Sequence, residues 1–113
     1  MSRLLTTIIA AAAGAGFVAG PATAQEKRSF SITTGGTGGV YYPLGGGLAA
    51  LLTKYVPGWS ASAEVTGGSV DNLKLLGAGK SELGLSMVDA GLDALKGQDK
   101  FKGNPVPVRT LAV

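Results

Sequence analysis

Neither cysteine nor histidine occurs anywhere in the 113 residues. Without cysteine there is no disulfide framework and no lipoprotein anchor through an N-terminal thiol. Without either residue, Ser-His and Cys-His nucleophilic arrangements are excluded, and only a Ser-Lys pair stays open among such chemistries. Charge is sparse too: charged residues make up 15% of the chain, and the net charge of +3 comes from scattered Lys and Arg. No basic stripe exists for a nucleic acid to follow, so no nucleic-acid partner is expected. The apolar stretch from Leu4 to Ala19 falls short of the roughly 20 residues that a membrane span needs and is rich in weakly apolar Ala and Gly. A hydrophobic content of 45% permits one small globular unit rather than a disordered tail.

The same stretch has the anatomy of a secretory leader. Arg3 supplies the basic start, Leu4 to Ala19 the apolar run, and Ala22-Thr23-Ala24 the small residues before a cut. The expected organisation is a cleaved signal peptide over residues 1–24 and a mature α/β lobe over residues 25–113. The mature protein is then soluble and periplasmic, with no stable membrane insertion after cleavage. Ala24→Arg is expected to block processing, because the peptidase requires a small residue at that position. Mass spectrometry of the exported protein should find Gln25 first in the unaltered chain; Met1 there instead would refute the site.

The mature chain reads as alternating strands and helices. "SFSITTG" alternates Phe30, Ile32 and Thr34 against Ser31 and Thr33 and stops at Gly35, which predicts a strand. A glycine-dense loop follows, with seven glycines between Ser31 and Gly47. Pro43 suits the first position of a helix, and Leu44, Leu48, Leu51, Leu52 and Tyr55 recur on one helical face. "SASAEV" is a weaker strand, with Ala61, Ala63 and Val65 on one side. Gly67 and Gly68 then turn the chain, and Ser69 is the expected N-cap of a helix carrying Val70, Leu73 and Leu76. A third strand is expected in "ELGLSMV". Asp89 should cap a helix through Leu92 and Leu95 that ends at Gly97. "VPVRTLAV" reads as the beginning of a fourth strand.

Strand, glycine loop and helix thus recur three times, which predicts parallel βαβ units. In such sheets ligands gather at the carboxyl ends of the strands, where Gly35 to Tyr42, Thr66 to Asn72 and Ser86 to Asp89 would meet. Asp89 and Asp93, four apart, could share a helix face with a metal, but a cap and a solvated carboxylate explain them as well, so no metal and no cofactor is expected. Glycines leading into a helix present backbone N–H groups to an anion. Nucleotide motifs fail: GxGxxG from Gly36 would need glycine at Tyr41, and no Gly-Lys-Ser/Thr ending completes a Walker pattern. A small carboxylate fits better, with Ser69, Asn72 and Ser86 as side-chain donors. Each hydrogen bond to a charged group contributes about 1.5–3 kcal/mol. Each residue also has a structural explanation: Ser69 as a cap, Asn72 as a partner for backbone, Tyr41 and Tyr42 as core.

The stretches "TGGTGGVYYPLGGGLAALL", "TGGSVDNLKLLGAGKSELGLSMVDA" and "GQDKFKGNPVPVRTLA" together resemble the TAXI family of solute-binding proteins that serve TRAP (tripartite ATP-independent periplasmic) transporters. The likeness extends over the whole mature chain. It implies a type II periplasmic-binding-protein-like fold, with parallel βαβ units around a central sheet. It also implies a receptor without enzymatic activity that captures an organic anion such as glutamate or 2-oxoglutarate and delivers it to TRAP membrane permease subunits. By position, Thr37, Gly38, Gly39, Tyr41, Tyr42, Ser69, Asn72 and Ser86 would be the ligand contacts of the first lobe. Family members run to roughly three times this length, so the resemblance implies the first lobe or a fragment, with the second lobe absent. An exported module without a transport role, such as a surface antigen or a sensor lobe, is the alternative that the same fold would serve.

Overall fold

The computed structural model describes residues 26–113; the leader and its cleavage site lie outside the described residues. Three strands form one parallel sheet in the order β2-β1-β3. They are β1 (Arg28–Thr33), β2 (Trp59–Glu64) and β3 (Leu83–Gly84), and each is followed by a helix: α1 (Tyr41–Tyr55), α2 (Ser69–Gly77) and α3 (Val88–Lys96). The α/β class and the parallel βαβ arrangement are as the sequence predicts. β1 is central, and its burial rises along its length until Ile32, Thr33, Thr34 and Gly35 are all buried.

Helices cover both faces of this sheet. On one face α1 packs where a Cβ at Gly45 would meet Thr34, Ile32 and Ala63. On the other, α2 lies where a Cβ at Gly84 would meet Thr33, Leu76 and Asn72. Consecutive residues Thr33 and Thr34 therefore point to opposite layers, as the period of two requires. Phe30 and Trp59 stack diagonally across β1 and β2 with centroids 4.7 Å apart. The outer edge of β2 is blunted by α1: the Ala61 N–H donates to Thr53 Oγ1 at 2.9 Å, which occupies a group that an open edge would offer to another chain.

Glycines stop two of the helices. Gly79 takes φ +67° and Gly97 φ +63°, the left-handed conformation that closes a helix. After α2, the N–H of Gly79 donates to Leu76 O and that of Lys80 to Leu75 O. After α3, Gly97 donates to Ala94 O and Gln98 to Asp93 O. Both pairs form the paired-bond stop that satisfies the last carbonyls.

Several local expectations are corrected. α1 begins at Tyr41 rather than Pro43, which is still tolerated because the first-turn N–H groups have no intrahelical acceptor. Its buried positions are Gly45 and Ala49, while Leu44, Leu51 and Tyr55 are exposed. Likewise α3 buries Ala94 and exposes Leu92 and Leu95. Close approach to the layer beneath selects the smallest side chains, so these leucines face outward. On β2, Ala61 and Ala63 are half-buried but Val65 lies beyond the strand and is exposed. β3 is only two residues long, although Glu82 N–H and Leu85 N–H extend its bonding to Ser31 O and Thr33 O.

Residues 104–113 form no strand. After α3 a short 3₁₀ turn, Asp99–Phe101, brings Phe101 beneath α2 and α3, and Val106 follows it. Leu73, Ala94, Phe101 and Val106 make the buried apolar cluster, flanked by Val70, Leu76, Ala90 and Val108. The Val106 N–H donates to Ala94 O at 2.8 Å, so this segment is tied to a helix end instead of a sheet edge.

Candidate functional site

Because all three strands run parallel, their carboxyl ends share one edge, and the segments 34–40, 65–68 and 85–87 leave it together. Each segment leads into a helix N-terminus, and none of α1, α2 or α3 has a side-chain cap. Three positive dipole ends without side-chain caps thus face one edge.

The β1–α1 segment is the most open of the three. Gly36 to Gly39 form a turn closed by the Gly39 N–H on Gly36 O at 3.0 Å. Thr37, Gly38 and Gly39 are exposed, and Tyr41 and Tyr42 are half-buried. Gly36 and Gly38 have no left-handed φ, and a Cβ at either would meet nothing within 4 Å. Neither conformation nor internal packing demands glycine at these two places. The N–H groups of Gly36, Gly38, Tyr41 and Tyr42 meet no acceptor among the described residues. The first turn of α1 also carries no acidic side chain, so nothing there repels an anion.

The β2–α2 segment differs from expectation. Gly68, at φ +108°, stands at the N-cap position, and Ser69 is the first helical residue. The Ser69 hydroxyl is turned to the neighbouring segment, where its Oγ accepts the Met87 N–H at 2.9 Å. That leaves the hydroxyl hydrogen as a donor. Asp71 accepts the Gly67 N–H at 3.1 Å and folds the turn back onto its own helix.

Asn72 is fully buried. Its amide nitrogen donates to Thr34 O at 2.5 Å and to Leu85 O at 2.7 Å. Its Oδ1 lies 2.5 Å from Thr66 Oγ1, whose oxygen in turn accepts the Gly68 N–H at 3.1 Å. Both amide hydrogens are therefore committed to backbone. The side chain that the sequence suggests as a ligand donor lies under the edge, where it satisfies backbone carbonyls.

On the β3–α3 segment, Ser86 is half-buried and its hydroxyl donates to Met87 O at 2.9 Å. Asp89 is the second residue of α3 rather than its cap; its Oδ1 accepts the neighbouring Ala90 N–H at 2.7 Å. Among the described residues no group of three or more Asp, Glu, His or Cys stands close enough to hold a metal.

The arrangement brings Thr37, Gly38, Gly39, Tyr41, Tyr42, Ser69 and Ser86 to one edge and sets Asn72 below it. At this edge Val65 and Thr66 line a shallow hollow with Asp71, Lys74 and Leu75. A concavity of about 660 Å³ lies elsewhere, beside the C-terminal half of α2, against Lys74, Phe101, Asn104 and Val106. Two residues that shape the edge were missed in the sequence: Thr34, whose carbonyl receives Asn72, and Thr66, whose hydroxyl completes the network. Their signal is the recurrence of Thr-Gly-Gly at 34–36 and 66–68, each just past the end of a strand.

Compared with known families, residues 32–112 match the NMT1-like family. The matched region takes in the buried end of β1, every segment of the candidate edge and the tail that packs on α2 and α3.

Proposed function

This chain belongs to the NMT1-like family, within the periplasmic-binding-protein-like group of solute receptors, and from that membership we propose that it captures a small organic anion for a TRAP-type membrane permease. Its closest functional description is then a TAXI-type receptor, on the motifs "TGGVYYPLG" and "GGSVDNL". Residues 25–113 make up one α/β lobe of such a receptor, and residues 1–24 are the leader that directs it to the periplasm. Among the described residues no helix is long and apolar enough to cross a membrane.

One observation carries this reading. Gly36 and Gly38 are glycines that the chain itself does not require, and they stand beside unpaired N–H groups at the start of α1. Glycine costs conformational entropy wherever the fold does not need it; close approach of a carboxylate to the backbone accounts for it. Thr37, Gly38, Gly39, Tyr41 and Tyr42 form the cradle, with the free Ser69 hydroxyl hydrogen beside it and Ser86 able to donate once its hydrogen turns from Met87 O. No side-chain cation lies in the cradle, so the N–H groups and helix dipoles supply the attraction.

The test is a titration of the mature chain with 2-oxoglutarate and with glutamate, followed in amide NMR spectra. Residues 25–113 tested by themselves cover one side of the ligand, so affinity no better than millimolar is expected, about −4 kcal/mol. Shifts should concentrate on Gly36 to Tyr42. Gly38→Val should remove them while changing stability by no more than about 0.5 kcal/mol, since the added side chain meets open space. Unchanged shifts in a folded Gly38→Val chain would refute the cradle. Absence of binding by either acid in the unaltered chain would favour an exported module without a transport role.

A further inference from the structure

We infer that Asn72 is a positioning residue that locks the three ligand-facing segments into one body, so that the edge is set before any ligand arrives; as far as it concerns a ligand, this rests on the receptor reading above. One side chain reaches the exit of every strand. Its two amide hydrogens go to Thr34 O, just beyond β1, and to Leu85 O, just beyond β3, and its oxygen meets the hydroxyl of Thr66, just beyond β2. Two carbonyls need donors and the hydroxyl can donate, so only this orientation of the amide satisfies all three.

The surroundings are built to hold that amide. Asn72 has no exposed surface, and no buried side-chain polar atom among the described residues is left without a partner. Gly84 provides the space: a Cβ there would stand 3.0 Å from Leu76 Cδ1 and 3.3 Å from Asn72 Cβ. The Ser69 hydroxyl adds a second tie from α2 to Met87. Aspartate would bring no donors in its ionised form and leucine would bring none at all, so Leu85 O would lose its donor and Thr34 O would keep only the Thr66 hydroxyl, 3.2 Å away. Such a network acts as a unit when every member is satisfied.

Amide NMR on the full mature chain tests this without a ligand. In the unaltered chain the side-chain amide hydrogens of Asn72 should exchange slowly. In Asn72→Leu, signals from Gly35–Gly36, Gly67–Gly68 and Ser86–Met87 should move together, and the bonded amides of Gly67, Gly68 and Met87 should lose exchange protection. Thr66→Val, a milder change that removes the hydroxyl's contact with Thr34 O but keeps both Asn72 ties, should disturb Gly67–Gly68 and leave the other two segments in place. Changes in Asn72→Leu confined to α2 and Gly67–Gly68 would overturn the inference. So would fast exchange of the Asn72 amide in the unaltered chain, which is readable even if the leucine variant does not fold.

Titrating 2-oxoglutarate into the same samples separates the two claims. If the unaltered chain gives no shifts, the receptor reading falls, and the coupling of the segments is still judged by the ligand-free spectra. If it binds, a drop of the set arrangement to about a tenth of the population weakens apparent affinity about tenfold in Asn72→Leu. Equal affinity despite displaced segments would show that Asn72 positions nothing for the ligand.

Discussion

Phe101→Ala is expected to remove about 3–5 kcal/mol of folding stability, the usual cost of emptying a buried phenylalanine site. A domain of this size holds only about 5–10 kcal/mol in total, so the variant should be close to unfolded at 37 °C. The size of the effect follows from where the ring sits. Phe101 is 3% exposed and packs with Leu73 of α2, Ala94 of α3 and Val106 of the tail, four residues from four separate stretches of chain. Little else can collapse into the void. The 3₁₀ turn that delivers the ring is held by the Phe101 N–H on Gln98 O at 2.8 Å, and Asp99 accepts a positive φ of 44° to make it. Chemical unfolding followed by circular dichroism measures the loss. Leu111→Ala, at an exposed position of the same tail, should change stability by less than about 0.5 kcal/mol. A loss below about 1 kcal/mol for Phe101→Ala would mean that the tail does not clamp α2 to α3.

Gly45→Val and Gly47→Ala should move stability in opposite directions although they lie two residues apart on α1. A Cβ at Gly45 would come within 2.3 Å of Thr34 Cγ2, with Ile32 and Ala63 close behind. Thr34 cannot simply turn away, because its hydroxyl donates to Glu64 O at 2.6 Å and a β-branched side chain has few rotamers. Valine at 45 must therefore lift α1 from the sheet, at a cost of at least about 1–3 kcal/mol. At Gly47, by contrast, a Cβ meets nothing within 4 Å. Alanine there should stabilise the helix by about 0.5–1 kcal/mol through propensity alone. Urea unfolding of both variants reads the sign directly. Destabilisation by Gly47→Ala would show that its open side is occupied, and a neutral Gly45→Val would contradict the packing of α1 on β1.

Gly97 was legible as a helix stop because a left-handed residue is a local demand that few other residues meet. The recurrence of strand, loop and helix was legible for a similar reason: hydrophobic period and turn chemistry are properties of neighbouring residues. From these the parallel sheet follows, and with it the edge where Thr37 to Tyr42, Ser69 and Ser86 meet. Which side of a helix is buried is not such a property. Leu44, Leu51, Leu92 and Leu95 keep the right spacing and are nevertheless exposed, because a close layer beneath admits Gly45, Ala49 and Ala94 and excludes larger groups.

Asn72 shows the same division at a single residue. Its composition and place after Gly67-Gly68 suit a ligand donor, and nothing within the adjacent chain contradicts that. Its partners Thr34 and Leu85 lie 38 and 13 residues away, so its commitment to their carbonyls arises only when three strands end side by side. The tail is decided likewise: "VPVRTLAV" has the residues of a strand, but Val106 is held by Ala94 O and by the cluster around Phe101. Local chemistry set the elements and the edge they share; long-range packing chose which side chains face that edge and which lie beneath it, since burial depends on partners distant in sequence.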